Sequence, residues 1–302
     1  MLNFERLRAL HAVSAHGSIH AAAAVLHVTD SAVSQQISRL EREIGHALLE
    51  RHGRGVRLTA SAELLVRHTE HVLQVLARAE AELEAQGDSI VGELAVAAFP
   101  SAMRGFVATA MRVLRKAHPQ LRVTLREQPQ YETLPLLVRG DIDIAIAQDW
   151  PQAPARLVTG LTRTPLMDDV ADVALPARHR LASRNVISLD DLAQDTWVTW
   201  DNRSIIHDWL VHTLRSRGHE PTIDYVAGER ATQLALVAAE FCVCVLPRLG
   251  RGPLPRGVIV KPLRPTLRRQ IYALWRDANT RRRAILVAVE ALQAAAKTAK
   301  HG

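Results

Sequence analysis

Side chains that can contact nucleobases are grouped near residue 31. Ser31, Ser34 and Gln35 carry hydrogen-bonding groups three and four positions apart, a spacing that places them on one side of a helix. A glutamine can form two hydrogen bonds with adenine, and a serine can contact several bases. Because a helix fits the major groove of double-stranded DNA, the spacing predicts base contacts by these three side chains.

Basic side chains continue along the chain from this group. Arg39 lies further along the same helix, where it can meet a phosphate or a guanine, and Arg51, Arg54 and Arg57 surround two glycines that favour a turn. Residues 31–57 hold five Arg and three Glu, a local charge of +2. We expect these arginines to bind backbone phosphates and to position the helix on DNA.

Each of these residues also has a purely structural interpretation. Ser34 can be a satisfied polar group, and Arg39 can pair with Glu43, which lies one helical turn further on. Winged helices also occur as protein-binding modules. The grouping as a whole, rather than any one residue, favours DNA binding.

The surrounding sequence predicts the elements that hold this group. Apolar residues recur at helical spacing, and Gly17 and Gly45 end two of the helices. Residues 48–59 then predict a β-hairpin whose tip is basic. The expected order is a helix over 4–16, a helix over 19–26, a short turn over 27–30, a third helix that runs to about Ile44, and the hairpin.

A long helix follows, capped by Thr59 and reaching to about Gln86. Its apolar residues form two sets of seven-residue spacing offset by four, which is the a/d seam of a coiled coil. We expect this seam to join two copies of the chain, although a helix packed on its own domain is the alternative. The predicted dimer seam contains Leu65, Val72, Leu76 and Leu83.

The rest of the chain alternates strands and helices, the pattern of mostly parallel sheets covered by helices. Strands are expected at 93–98, 121–127, 142–147, 170–175, 196–200, 222–227, 241–246 and 271–275. Helices are expected at 101–117, 131–139, 204–217, 229–239 and 280–298. The predicted fold class is therefore α/β with an all-α-rich N-terminal part.

Bulk composition narrows the location and the class of protein. The net charge is +7 and hydrophobic residues make up 48%, yet residues 1–88 carry nine Arg, no Lys and eleven acidic residues, a net charge of −2. Net charge alone would therefore assign DNA binding to the C-terminal part of the chain, away from the residues that are predicted to contact bases. Since no apolar run reaches the roughly 18–20 residues that a membrane span needs and no secretion signal opens the chain, we expect a cytoplasmic protein without a membrane partner.

Residues 17–66, GSIHAAAAVLHVTDSAVSQQISRLEREIGHALLERHGRGVRLTASAELLV, resemble the DNA-binding signature of LysR-type transcriptional regulators. The matching features include Gly17-Ser18, the alanine helix, Ser31-Ala32-Val33-Ser34, Ile44-Gly45 and Leu58-Thr59. Four positions depart from the usual pattern, which leaves the fold intact but affects operator preference. They are His20, Asp30, Leu49 and Ala62.

The resemblance covers the full length and implies three parts. These are a winged helix-turn-helix DNA-binding domain over 1–58, a linker dimerisation helix over 59–88 and an effector-binding domain over 89–302. The last part is similar to periplasmic binding proteins, with lobe one at about 92–161 and 267–302 and lobe two at about 162–266. Family members assemble as homodimers or homotetramers and respond to a small-molecule effector.

The family's ligand contacts come from strand ends that face the cleft between the lobes. Ser101 can cap the helix after the first strand, where free N–H groups attract anions, and Arg230 opens a later helix. Together they favour a carboxylated metabolite, and Trp200 favours one with an apolar part, although these residues can equally be structural. The predicted effector-binding residues are Ser101, Gln128, Gln148, Trp200 and Arg230.

Other classes of protein leave weaker signals in the sequence. Phosphate-binding glycine loops, nucleophile elbows and HExxH motifs are missing, so we expect neither an enzyme nor a cofactor, and no metal site at the histidine pair His68 and His71. The rival prediction is a cytosolic solute-binding protein or α/β enzyme with a fused helical module. A second alternative is a regulator that senses metal or oxidation through Cys242 and Cys244. Without such a role, the two cysteines are interpreted as small buried residues.

Overall fold

The computed structural model describes residues 2–52, 55–84, 90–150 and 159–299. The chain forms two compact units, one up to Leu83 and the other from Glu84 onward. Among the described residues, no helix is both long enough and apolar enough to cross a membrane.

The first unit contains three short helices, a two-stranded hairpin and a long helix. The helix boundaries follow local chemistry: Ser18 and Thr29 cap the second and third helices through their hydroxyl groups, and Gly17 and Gly45 end the first and third with positive φ angles of 71° and 73°. The elements are α1 (Phe4–His16), α2 (Ile19–Leu26), α3 (Asp30–Ile44), β1 (Leu49–His52), β2 (Gly55–Leu58) and α4 (Ala60–Glu84).

The second unit is built on a seven-stranded mixed sheet with helices packed on it. Its first elements are β3 (Gly92–Ala98), α5 (Pro100–Ala102), a π-helical turn (Met103–Val107), α6 (Ala108–Ala117), β4 (Leu121–Glu127), α7 (Gln130–Arg139), β5 (Ile144–Asp149) and β6 (Leu161–Pro176). They continue with β7 (Ile187–Ser188), β8 (Thr196–Thr199), α8 (Ile205–Arg215), β9 (Thr222–Val226), α9 (Arg230–Ala238), β10 (Cys244–Pro247), β11 (Val258–Lys261), β12 (Leu263–Arg264), β13 (Leu267–Arg276) and α10 (Arg283–Ala299).

The strand order in the large sheet is β10-β6-β13-β5-β3-β4, and β11 also pairs with β6. Strands β3, β4 and β5 pair in parallel, whereas β13 is antiparallel to both β5 and β6. The separate parallel pair β8-β9 is joined to the residue before β10 by a bridge between Trp197 and Val243.

Two strands connect two hydrophobic cores and so define two lobes. One core contains Met167 of β6 and Ile271 of β13, whereas the other contains Ala171 of β6 and Leu267 of β13. Because β6 and β13 pair along their length, they pass together from one lobe to the other. The predicted two-lobed α/β architecture is confirmed, but the large sheet is mixed rather than mostly parallel as expected. The lobe boundary proposed at residues 161 and 162 stays a prediction.

Several element boundaries differ from those expected. The strand predicted over 170–175 is the end of the longer β6, whose first half, LTRTPLMDD, has no apolar run to mark it. The strand predicted over 142–147 begins two residues later, and the helix predicted over 101–117 contains the π-helical turn. The helix predicted over 280–298 begins at Arg283, after a 3₁₀ turn at Asp277–Asn279.

Candidate functional site

The exposed face of α3 carries the predicted base-contacting side chains. Val33, Ile37 and Leu40 lie on the opposite face and are buried in the core of the first unit, which fixes the helix in its rotation. A shallow groove runs along the exposed face. It is lined by Ser31, Ser34, Gln35, Ser38, Arg39 and Arg42.

Two residues of this groove were not singled out from the sequence. Ser38 and Arg42 follow Ser34 and Ser38 respectively by four positions, so the helical repeat that links the predicted contacts extends to them. Arg39 is exposed, and Glu43 forms an ion pair with Arg6 of α1. The alternative pairing of Arg39 with Glu43 is therefore not the arrangement in the structure.

The hairpin is tied to α3 by Glu41. Its Oε1 accepts hydrogen bonds from the backbone N–H groups of Leu48, at 2.8 Å, and Leu49, at 3.3 Å. The predicted phosphate contact Arg51 lies in β1, but its side chain and the whole of Arg54 lie outside the described residues. Arg57, in β2, is exposed.

Two departures from the signature contact each other. The His20 ring Nδ1 lies 3.0 Å from Oδ2 of Asp30. The hydroxyl of Thr29, rather than Asp30 or Ser31, caps α3. Asp30 is therefore partnered by a residue that also departs from the pattern.

A cleft of about 480 Å³ lies between the lobes of the second unit; we call it the interlobe cleft. The ends of several strands meet there, as expected for ligand sites of open α/β sheets. Four of the five predicted effector contacts line it: Ser101, Gln148, Trp200 and Arg230.

Gln128 does not line the cleft, which corrects that prediction. Its Oε1 is buried without a hydrogen-bond partner among the described residues. The following residues Pro129, Gln130 and Tyr131 line the cleft instead, and Gln130 Oε1 accepts a hydrogen bond of 2.8 Å from the backbone of Gln148. The strand end was correctly located, but the turn into α7 presents the residues after Gln128.

Arg269 of β13 organises one wall of the cleft and was missed by the sequence analysis. It is 2% exposed, and it donates to Asp169 Oδ2 at 2.6 and 2.9 Å and to Gln148 Oε1 at 2.7 Å. It also donates to the Ser101 hydroxyl at 2.9 Å. Burial lowers the pKa of Arg269, and the Asp169 carboxylate opposes that change. Ser101 and Gln148 are thus held in place by a buried cation.

The expected capping role of Ser101 is wrong in its detail. Phe99 occupies the N-cap position of α5, Pro100 follows it, and no side chain caps the helix. The Ser101 hydroxyl oxygen instead accepts a hydrogen bond from Arg269.

Arg230 stands in contrast because it has no acidic partner among the described residues. Its Nη1 is buried without a hydrogen bond. Burial lowers its pKa first, and the positive charges of Arg104 and Arg251 lower it further. A buried guanidinium nitrogen without a hydrogen-bond partner is costly, and an anion would satisfy it.

One part of the cleft is apolar, and a polar contact joins the two lobes. Trp200, Ile205 and Ile206 line this part. The Tyr131 hydroxyl donates to Asp201 Oδ2 at 3.0 Å, and the Arg203 guanidinium lies 4.3 Å from the Tyr131 ring centre. Hydrogen bonds from Arg203 lower the pKa of Asp201 to about 2, so this carboxylate stays charged across neutral pH.

Burial disfavours the reactive form of both cysteines. Cys242 and Cys244 are free thiols, 5% and 1% exposed. Burial raises the pKa of Cys242 to about 11 and that of Cys244 to about 12. Because the thiolate is the reactive form, both are poor nucleophiles at neutral pH.

Comparison with known proteins agrees with both halves of this description. Residues 4–63 match the bacterial regulatory helix-turn-helix proteins of the lysR family. Residues 87–297 match the LysR substrate binding domain. The chain belongs to the LysR family. It is a DNA-binding transcriptional regulator with an effector-binding domain and not an enzyme, so the rival of a solute-binding protein or enzyme with a fused helical module is wrong.

Relatives of this LysR regulator match nearly the whole chain. It is 29% identical over 285 residues to the transcriptional regulator MetR of Salmonella typhimurium, covering 93% of this chain and 86% of MetR. A full-length OxyR variant from Pseudomonas aeruginosa superposes with a TM-score of 0.71 at 22% identity, covering 97% of this chain and 95% of that one. Full-length CbnR in complex with its target DNA gives a TM-score of 0.58 at 20% identity, covering 97% and 100%.

Proposed function

We propose that this LysR regulator is controlled by a carboxylated metabolite that binds in the interlobe cleft. The observation that carries the proposal is Arg230, a guanidinium with a buried, unpartnered nitrogen in the wall of that cleft. A carboxylate can accept two parallel hydrogen bonds from a guanidinium. These replace the hydrogen bonds to water that burial removes. Trp200, Ile205 and Ile206 offer an apolar surface for the rest of the metabolite.

Binding in the cleft would act on DNA through the relation of the two lobes. A ligand that prefers one lobe arrangement shifts the population toward it by its difference in affinity. A typical coupling of about 1–3 kcal/mol changes the affinity for a half-site by roughly 5–150-fold. The regulator can then change its operator contacts without leaving the DNA.

On the DNA side, the groove of α3 is the proposed reader of base edges and the hairpin is the proposed phosphate contact. Ser31, Ser34, Gln35 and Arg39 lie together on this face. The exposed apolar residues Val72 and Leu76 on α4 support assembly as a homodimer or homotetramer. Since bacterial DNA lies in the cytoplasm, we place the regulator there.

Gln35→Ala is expected to weaken binding to the specific operator by about 1–3 kcal/mol and to relax preference at one base pair, because it removes a base contact made by two hydrogen bonds.

Arg57→Ala is expected to weaken binding to specific and to random DNA by similar factors. It should also reduce the salt dependence of binding by the equivalent of about one phosphate contact. Titrations of both DNAs at several salt concentrations measure these effects. Gln36→Ala, on the same helix but outside the groove, is the control. Equal losses on both DNAs for Gln35→Ala would contradict base reading.

A carboxylate that binds the cleft is expected to stabilise the full-length chain by about 2.7 kcal/mol at a concentration of 100 Kd, and Arg230→Met is expected to lose that gain. Thermal unfolding in a screen of carboxylated metabolites measures it, with Ser101→Ala as a second cleft variant. Arg256→Met, an exposed arginine outside the cleft, should respond like the parent. Hits that stabilise Arg230→Met as much as the parent would show that the carboxylate binds elsewhere.

A further inference from the structure

Some of the arginines that line the interlobe cleft form an ion pair with a carboxylate, and others do not. Arg269 is neutralised by Asp169, and Arg203 by Asp201. Among the described residues, neither Arg104 nor Arg230 forms an ion pair with a carboxylate. Of the described residues that line the cleft, Asp208 alone carries a carboxylate, and it is exposed in the first turn of α8.

Arg104 and Arg230 come from different lobes, and both line one corner of the cleft beside the loop after β10. Arg104 belongs to the π-helical turn after α5, and its Nε donates to the Gly250 carbonyl at 3.3 Å. A Cβ built on Gly252 would lie 3.5 Å from Arg230 Nη2, so the loop after β10 passes beside both arginines. The corner is therefore made by one side chain from each lobe and the loop between them.

This corner carries more positive charge than one carboxylate can neutralise. The positive charges of Arg104 and Arg251 lie close enough to Arg230 to lower its pKa. Arg251 itself shares the single carboxylate of Asp172 with Arg248, at 2.6 and 2.8 Å. Like charges held close together in a partly buried place repel, and a second negative charge on the ligand removes more of that repulsion than one charge does.

We propose that Arg104 is a second anion-binding residue and that Arg104 and Arg230 together bind a group with two negative charges, either a pair of neighbouring carboxylates or a phosphoryl group. This inference rests on the proposed function, since it assumes an anionic effector in the cleft, and it adds which anions the cleft selects. Because the two arginines come from opposite lobes, the same group also holds the lobes together.

The test compares three probes with one apolar ring and different charged groups: benzoate, phthalate and phenyl phosphate. Isothermal titration of the full-length chain at pH 7.5, where a phosphate monoester is mainly doubly charged, is expected to give at least ten-fold tighter binding for a doubly charged probe than for benzoate. Arg104→Met is expected to weaken the doubly charged probes more than benzoate, so that the preference falls to less than about three-fold. Arg112→Met, an exposed arginine of α6 outside the cleft, is the control and should keep the preference.

The possible results distinguish a failure of the role proposed for Arg104 from a failure of the proposed function. Equal affinity for all three probes, or an Arg104→Met variant that keeps the preference, would overturn the role of Arg104 and leave an anion site at Arg230 standing. Tighter binding of phenyl phosphate alone would identify a phosphoryl group and refute the carboxylate. If none of the three binds but a carboxylate from the metabolite screen depends on Arg230, the doubly charged group is refuted and the proposed function stands. If no anion depends on Arg230, both fail.

Discussion

Arg269→Met is expected to lower the free energy of unfolding by about 3–5 kcal/mol, because it leaves the Asp169 carboxylate buried without its cation. Arg269 and Asp169 are 2% and 6% exposed, and two hydrogen bonds join them. The substitution also removes the donors to Gln148 and Ser101. Denaturant unfolding, followed through the tryptophans, measures the loss.

Two further variants test whether the loss of stability comes from the burial of the Arg269–Asp169 pair. Arg122→Met breaks an ion pair with Glu93 whose side chains are 74% and 69% exposed, and it should cost less than about 1 kcal/mol. The double variant Arg269→Met with Asp169→Leu removes both buried charges and should recover part of the stability. A loss below about 1 kcal/mol for Arg269→Met would mean that water reaches Asp169 and that the cleft wall is not held by this pair.

The elements of the first unit could be predicted because their causes are local. The helices predicted over 4–16 and 19–26 have the observed bounds, since Ser18 and Gly17 act on backbone groups within one turn of themselves. The strand predicted over 121–127 also has the observed bounds. Period and capping are short-range properties, and a sequence displays them directly.

The wall of the cleft could not be predicted because its causes are distant in sequence. Asp169 and Arg269 are one hundred positions apart and meet only because β6 and β13 pair in antiparallel fashion. Nothing in either segment marks its partner. Gln128 failed for a related reason: the end of β4 was correctly located, but which residue of the turn enters the cleft depends on how α7 packs.

The linker helix shows that one periodic pattern can serve two surfaces. Leu65 packs against the core of its own domain, and Thr69 is 1% exposed there, so the first turns of α4 follow the alternative in which the helix packs on its own domain. Val72 and Leu76 are 40% and 43% exposed. The side chain of Leu83 lies outside the described residues. For the later turns of α4, the seam between two chains therefore stays a prediction.

Leu76→Glu is expected to weaken binding to an operator with two half-sites by about a hundred-fold or more. In the predicted a/d seam the new carboxylate would lie beside its symmetry mate, and burying unpaired charge costs several kcal/mol, of which about 2.8 kcal/mol is a hundred-fold. Binding to a single half-site should change little, because α3 and the hairpin do not contain Leu76. Titrations of the two DNAs measure both affinities.

His71→Glu is the matched control, since it adds the same charge to an exposed position of α4 outside the seam. It should bind the two-half-site operator within a few-fold of the parent. Mass from light scattering is a weaker readout, because an interface elsewhere in the chain could keep two copies together after the seam is lost. Operator affinity depends on the spacing of the two DNA-binding domains. An unchanged operator affinity for Leu76→Glu would therefore show that the exposed residues of α4 do not join two chains.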